Sequence, residues 1–466
     1  MNEFQATVEE LRRPGGCFDR PRPVFIARSP GRMDVMGGNV DFTGGLVFQA
    51  TIREATWAAA QLRDDGLLVL NNPQMAASGW RSTVQFSLSS LTGEAETRRM
   101  VNESPDIRWT SYVAGLFHLL LCRYPEKLER GATIYIESNV PLNKGVSSSA
   151  AVEVAVMKAA VAAYGIPLAG IELAEACQWV ENVIAESGCG IMDQAAAVLG
   201  DEGHVLPLLC QPCLPYPLVR LPDQVTVWGI DSGVSHMVSG VEYEASRAAS
   251  FMGYKLICDL EGLPVRFDAS GKIPRFADPR WNGYFSDIDA SLFRSRYEAE
   301  LPEFMTSSEY LALAREHVDP FSTLHDGVRY RVRACTRYAI EENLRIRTFV
   351  ALAGGSAGVG SDEAFRIMGE LMYQSNWAYT ECGLGCPAID QILELVREAG
   401  SRNGLYGAKV SGGGAGGTVV VLGLKTAAES FFDVVRQYAA ARGFEPYVFE
   451  GSSAGADRFG TRVVGA

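Results

Sequence analysis

The segment Asn143-Lys144-Gly145-Val146-Ser147-Ser148-Ser149-Ala150 joins one glycine and three consecutive serines to a run that reads as a long helix, stopped at Gly165. Backbone N–H groups at a helix start carry partial positive charge, so this loop suits the phosphates of a nucleotide. The serine hydroxyls could add hydrogen bonds or a magnesium ligand, or could simply cap the helix. The Walker pattern G-x-x-x-x-G-K-[ST] is absent from it. A second stretch, Arg28 to Gly45, sets Arg32 and Asp41 among glycines. A carboxylate there could hold sugar hydroxyls and a guanidinium could neutralise phosphate, while glycine lets the backbone come close. A third stretch, Lys409 to Thr418, runs Ser411, Gly412, Gly413, Gly414. By itself it reads equally as a strained hairpin or a flexible loop.

These segments need elements to hold them. Val24–Arg28 reads as a strand, followed by a glycine-rich loop to Gly45. Ala132–Ser138 alternates like a half-buried strand and feeds the serine loop. Helices are expected to Tyr164 and over Ile171–Ala185, and a strand over Val225–Asp231. Leu260–Val328 reads as an irregular insertion with some helix around Ser307–His317. Helices follow at Arg337–Ala353, Asp362–Tyr379 and Ala388–Ala399, then strands at Tyr406–Val410 and Gly417–Leu422. The class is α+β. Two domains are expected, 1–224 and 225–466, the second carrying the insertion at about 260–328, with a boundary near Pro222–Val225.

Bulk composition bounds the function. The chain has 466 residues, 47% hydrophobic and 21% charged, which favours two domains with shared packing. Its net charge is −13, with 55 acidic against 42 basic residues, a poor balance for neutralising nucleic-acid phosphates. Met1–Arg20 has neither a secretory pattern nor a lipidation signal, and no apolar run is long enough to span a bilayer. A soluble cytoplasmic protein, monomer or homodimer, without nucleic-acid or membrane partners, is expected. The ten cysteines read as reduced thiols. Cys210 and Cys213 form a lone C-x-x-C, with His204 as its nearest candidate co-ligand; buried thiols are the favoured reading.

The three glycine-rich segments, in this order, resemble the signature motifs of GHMP kinases. P-G-R…G-G-x-x-D-F-T-G-G, G-V-S-S-S-A-A-V-E and K-V-S-G-G-G-A-G-G look like the galactokinase set. Between them, Cys189-Gly190-Ile191-Met192-Asp193-Gln194, Trp109-Thr110-Ser111-Tyr112-Val113 and Gly385-Cys386-Pro387-Ala388-Ile389-Asp390-Gln391 also resemble galactokinases. Asp34–Gly44, Leu208–Pro212, Trp228–His236 and Phe251–Lys255 look like the kinase domain of L-arabinokinases. The resemblance implies a GHMP kinase fold of two domains with the active site in the cleft between them. It implies ATP as donor, Mg2+ and a small-molecule sugar.

Site roles follow from the resemblance alone. Asp193 matches the catalytic aspartate and Arg32 the arginine beside it. Ser149 and Glu181 match magnesium ligands. Gly38, Asn39, Asp41, Gly190 and Tyr243 match sugar contacts. Trp109 and Tyr112 match an adenine-side element, and Asn143, Lys144, Gly145, Val146, Ser147, Ser148, Ser149 and Ala150 the ATP phosphate loop. Galactokinases carry Glu-His where this chain has Gly38 and Asn39, and that pair reaches the exocyclic hydroxymethyl. Its loss argues for a sugar ending at C5, so L-arabinose phosphorylated at its anomeric hydroxyl is placed ahead of D-galactose. A heptose or uronate kinase and a non-catalytic sugar sensor are the further alternatives. Restoring Glu-His at 38 and 39 is expected to turn preference toward galactose.

Overall fold

The computed structural model describes residues 2–235, 241–268, 275–355 and 361–465. His236 and residues 269–274 of the expected insertion lie outside them. Helix α1 (Asn2–Leu11) precedes β1 (Val24–Met36), which folds back on β2 (Leu46–Leu62). There follow β3 (Leu67–Asn71), β4 (Thr83–Ser87), α2 (Glu94–Val101), α3 (Ser111–Arg123), β5 (Ala132–Ser138), α4 (Ser148–Tyr164), α5 (Gly170–Val183), α6 (Met192–Leu199) and β6 (His204–Leu209). Short strands β7 (Leu214–Pro215) and β8 (Val219–Arg220) pair with β6. The chain continues through β9 (Val225–Asp231), α7 (Val241–Leu260), the hairpin β10 (Arg266–Asp268) and β11 (Arg275–Ala277), α8 (Ala290–Leu292), α9 (Ser307–Ala314), α10 (Val332–Ala353), α11 (Ser361–Glu381) and α12 (Pro387–Ala399). It closes with β12 (Leu405–Val410), β13 (Thr418–Leu424), α13 (Ala428–Arg442), β14 (Val448–Phe449), α14 (Ala456–Phe459) and β15 (Arg462–Val464).

Two sheets organise the molecule. The first runs β15-β1-β2-β5-β3-β4, and β2 is long enough to pair with β6 through Leu46–Ala50 and with β5 through Thr56–Leu62. Among the described residues, only β3 and β5 pair in parallel in this sheet. The second is antiparallel, β12-β13-β9-β14. Helix α4 lies across β1 and β2, and its alanines at 150, 151, 155, 159 and 160 are fully buried, which lets the backbone approach the sheet closely. One apolar core runs through both sheets, with a satellite around Phe4, Val8, Phe18 and Tyr135 beneath α1. The chain enters the second sheet at β9, and β15 returns to the first.

One expectation needs correction. β1 does not stop at Arg28 but continues to Met36, so Arg32 and Asp34 stand on a strand rather than in a loop. Its register against β2 shifts between Pro30 and Arg32 and again between Asp34 and Met36. Such bulges absorb a proline that cannot donate to the ladder and re-aim the side chains beyond it. The ten cysteines are all free, Cys210 among the buried ones. Among the described residues, no helix is long and apolar enough to cross a membrane.

Candidate active site

The three glycine-rich segments meet at the carbonyl of Gly145. That oxygen accepts from Arg32 Nη1 at 2.7 Å and from Ser411 Oγ at 3.1 Å. Ser411 Oγ in turn accepts from the Asp34 N–H at 2.9 Å. Thr418 donates to the Lys144 carbonyl at 2.8 Å, and Lys144 Nζ pairs with Asp231 at 2.8 Å. The loop is held in an unusual backbone shape, with Asn143, Gly145 and Ser147 all at positive φ. Any Cβ at Gly145 would press 2.9 Å from the Ser411 carbonyl, so the residue must be glycine. Ser147 makes no side-chain cap on α4, and its hydroxyl is buried without a partner. The first N–H groups of α4 are therefore not consumed by a side-chain cap and can receive an anion. Ser148, Ser149 and Ala150 form that first turn.

Arg32 also reaches the other way. Its Nε and Nη2 lie 2.9 and 2.6 Å from Asp193 Oδ1, at the start of α6. Arg32 is 3% exposed, while the Asp193 carboxylate retains 19% exposure, so the pair is held from below and open above. Beside it, Gln194 Nε2 donates to Glu181 at 2.6 Å and to Glu153 at 3.1 Å. Burial, reinforced by Asp193, pushes the Glu181 carboxyl up to about 7, against hydrogen bonds from Ser149 and Cys189. Glu153, wholly buried and facing Glu181, is pushed well above the ordinary carboxylate range. Tyr112 is held far above the usual phenol range by burial and by these two glutamates. Trp109 is packed in the core and donates to the Arg81 carbonyl at 2.9 Å.

Asp41 and Gly190 line one cavity, about 630 Å³ with its mouth included, whose lining does not include Tyr243. A Cβ on Gly190 would fall 2.0 Å from Asp41 Oδ2, so only glycine leaves that carboxylate in place. Asp41 Oδ1 accepts from the Phe42 N–H at 3.0 Å. Burial first, then the Asp193 charge, lifts its carboxyl to about 7. Tyr243 stands edge-on to Phe42, ring centres 6.4 Å apart.

Gly38 and Asn39 are placed differently from expectation. The Gly38 carbonyl accepts from Tyr338 at 2.7 Å, and a Cβ there would lie 1.9 Å from the Tyr379 hydroxyl and 2.7 Å from Asp34 Oδ2. Asn39 Nδ2 donates to the Gly413 carbonyl at 3.2 Å. Neither lines the cavity beside Asp41. Tyr379 itself donates to the Gly412 carbonyl at 2.7 Å, and Gly414 packs on its ring. The Cβ at Gly38 would also lie 2.7 Å from the Gly412 carbonyl, so the Glu-His swap is blocked by Tyr379, Asp34 and the backbone together.

Sequence reasoning missed a buried ion pair at the same junction. Lys409 Nζ lies 2.7 Å from Asp34 Oδ2, both side chains at 0% exposure, and Gln49 donates to Asp34 Oδ1 at 2.7 Å. A charged residue inside each of two apolar strands, M-D-V and A-K-V, was the available signal.

Comparison with known proteins places this geometry. The model of the GHMP kinases N terminal domain matches residues 111–201, the galactokinase galactose-binding signature 16–62, and the GHMP kinases C terminal model 362–441. An L-arabinokinase from Arabidopsis thaliana is 34% identical over 97% of this chain, which spans about half, 48%, of that protein. A galactokinase from Chloroflexus aggregans is 31% identical, with 87% of this chain and 85% of that protein aligned. The chain belongs to the GHMP kinases. Within that family it falls among the sugar kinases. The GHMP kinase fold extends over the whole chain: Lactococcus lactis galactokinase complexed with galactose superposes with a TM-score of 0.72 at 18% identity, covering 99% of both chains. A Methanococcus jannaschii mevalonate kinase gives 0.52 at 13% identity, over 92% of this chain and 98% of the other.

Two hard oxygen donors of this GHMP kinase, the Ser149 hydroxyl and the Glu181 carboxylate, are in contact. Glu153 Oε1 and Gln194 Oε1 beside them are buried without partners. The set fits a divalent cation that takes oxygen ligands. Among the described residues no three His, Cys, Asp or Glu side chains cluster to hold a metal on their own. Magnesium typically keeps water and nucleotide oxygens, so two protein ligands suffice for it.

Proposed function

We propose that the protein transfers the γ-phosphoryl group of ATP to the anomeric hydroxyl of a monosaccharide, L-arabinose ahead of D-galactose. The observation that carries the reading is the double engagement of Arg32. One guanidinium grips Asp193 through Nε and Nη2 and the phosphate loop through Nη1. It thereby fixes the distance between the group that meets the acceptor hydroxyl and the loop that cradles the donor, and phosphoryl transfer depends on such positioning. On this reading Asp41 receives sugar hydroxyls, aided by Tyr243, and the first turn of α4 receives phosphate oxygens. Asp193 takes or orients the anomeric proton, and Arg32 holds that side chain in place and counters charge on the moving phosphoryl group. Ser149 and Glu181 would hold Mg2+, which supplies charge neutralisation on the phosphates. Trp109 and Tyr112 stand on the adenine side, 1–224 and 225–466 act as the two domains, and the enzyme works in the cytoplasm.

The choice of sugar is supported by the relative named L-arabinokinase, similar over nearly the whole chain. D-galactose is the second reading, favoured by the galactose-binding signature over 16–62. A uronate is disfavoured because Arg32 and Arg247 are already paired with carboxylates. The test is turnover with ATP, Mg2+ and a panel of pentoses, hexoses and uronates, with NMR of the product. Phosphate on any other hydroxyl would sink the anomeric assignment, and a higher kcat/KM for galactose would reverse the choice of sugar.

A further inference from the structure

The cavity beside Asp41 has a second charged wall that no signature motif explains. Tyr243 and Arg247 stand one turn apart on α7, so they share a face. Both reach the first-motif loop: Tyr243 stands edge-on to Phe42, and the Arg247 guanidinium lies 4.9 Å over the same ring. Phe251 and Phe321 flank the guanidinium at 5.6 and 5.5 Å. Arg247 Nε and Nη2 fork onto Asp319 at 2.7 and 3.0 Å. Asp319, Phe321 and Arg247 all line the cavity with Asp41.

Asp319 belongs to the expected insertion at about 260–328, and it is itself locked. It accepts from Ser322 Oγ at 2.6 Å and from the Phe321 N–H at 3.3 Å. Two of the three guanidinium nitrogens are thus fixed in place. The third, Nη1, is buried and has no partner. Arg247 as a whole is 4% exposed, so bulk water does not readily serve that donor. A buried charged donor left without an acceptor is costly, and because Arg247 lines the cavity a ligand oxygen there can supply the missing acceptor. The charge of Arg247 is already balanced by Asp319, and Asp41 stands within its field. The site therefore favours a neutral oxygen over a carboxylate.

From this geometry we infer that Arg247, anchored by Asp319 of the insertion, is a specificity-determining residue that donates from Nη1 to an oxygen of the neutral sugar held by Asp41. The insertion then contributes directly to acceptor recognition, through Asp319 and Phe321. The inference rests on the sugar-kinase reading, and the experiment separates the two. Wild-type turnover on the sugar panel tests that reading alone. The variants test Arg247: Arg247→Lys, and the double variant Arg247→Met with Asp319→Leu, which removes both buried charges together. Each is measured for sugar binding by calorimetry without nucleotide, for KM of sugar and ATP, and for thermal melting. Monodeoxy analogues of the preferred sugar are measured alongside.

Sugar affinity is expected to fall about ten- to a hundredfold, the loss of one charged hydrogen bond, with KM for ATP within about twofold of wild type. For one deoxy analogue, the one lacking the contacted oxygen, wild type and variants should bind alike. Unchanged sugar affinity in the folded variants overturns the inference. So does an equal loss on every analogue, which would mark Arg247 as a purely structural prop. If the double variant does not fold, Arg247→Lys carries the test, because it leaves Asp319 its counter-charge.

Discussion

Asp193 and Asp41 are both acidic, both near Arg32, and differently supported. Asp193 is gripped by two guanidinium nitrogens and remains partly open. Replacing it with Asn should cut turnover by about a hundredfold or more while ATP binding stays near wild type, since the phosphate loop is untouched. Near-normal kcat would remove Asp193 from the chemistry. Asp41 is buried and lifted to about 7, whereas the unfolded chain titrates it near 4. The folded protein therefore holds a proton that the unfolded one has released, and this group's contribution to stability falls as pH rises from about 4 to about 7. Asp41→Asn should accordingly melt higher than wild type at about pH 8, with the gain fading at about pH 5, and should bind sugar poorly at both. A gain independent of pH would show that Asp41 does not carry this strain. In wild type, sugar affinity should improve as pH rises through 7, as the carboxylate forms.

At the scale of elements, the loops hang on one buried pair. Lys409 on β12 and Asp34 on β1 are both sealed from solvent. Lys409→Met would strand the carboxylate and should cost about 3–5 kcal/mol in urea unfolding, while Lys409→Met with Asp34→Leu should recover much of it. Failure of the double variant to recover would assign the loss to packing. Gly38→Glu should lower the melting point and the yield, because its Cβ alone would collide with Tyr379. Adding Tyr379→Ala should not restore folding, because Asp34 Oδ2 and the Gly412 carbonyl would each still lie 2.7 Å from that Cβ. The punctuated elements were legible in sequence: α4 ending at Gly165, β9, and α12, expected from Ala388 and starting at Pro387. β1 beyond Arg28 was not, because Pro30 and Gly31 look like a break when the bulge that absorbs them is unseen. The alanine-rich β2 and the mixed pattern of α7 carried no clear period. Arg32, Asp41 and Gly145 drew notice by type and setting, while Asp193 was singled out only by the resemblance to the family. Arg247 with Asp319, and Lys409 with Asp34, did not, because each partner lies 72 or 375 positions away and only the fold joins them.

At the scale of the whole molecule, one apolar core passes through both sheets, and the Gly145 junction draws strands of each into one site. Calorimetry should show a single cooperative transition rather than one per sheet, shifted upward by ATP and sugar together. Two separated transitions would mean that the sheets unfold independently. The return of β15 to the first sheet has a consequence for how the enzyme is made. Val24 pairs with Val464, and Arg12 near the start donates to the Val464 carbonyl at 2.7 Å. The outer edge of β1 at Val24–Ile26 therefore stays bare on the ribosome until β15 has emerged. Premature stops before β15 would leave that edge open to pairing with other chains, so such products should appear as aggregates rather than as weakly active enzyme.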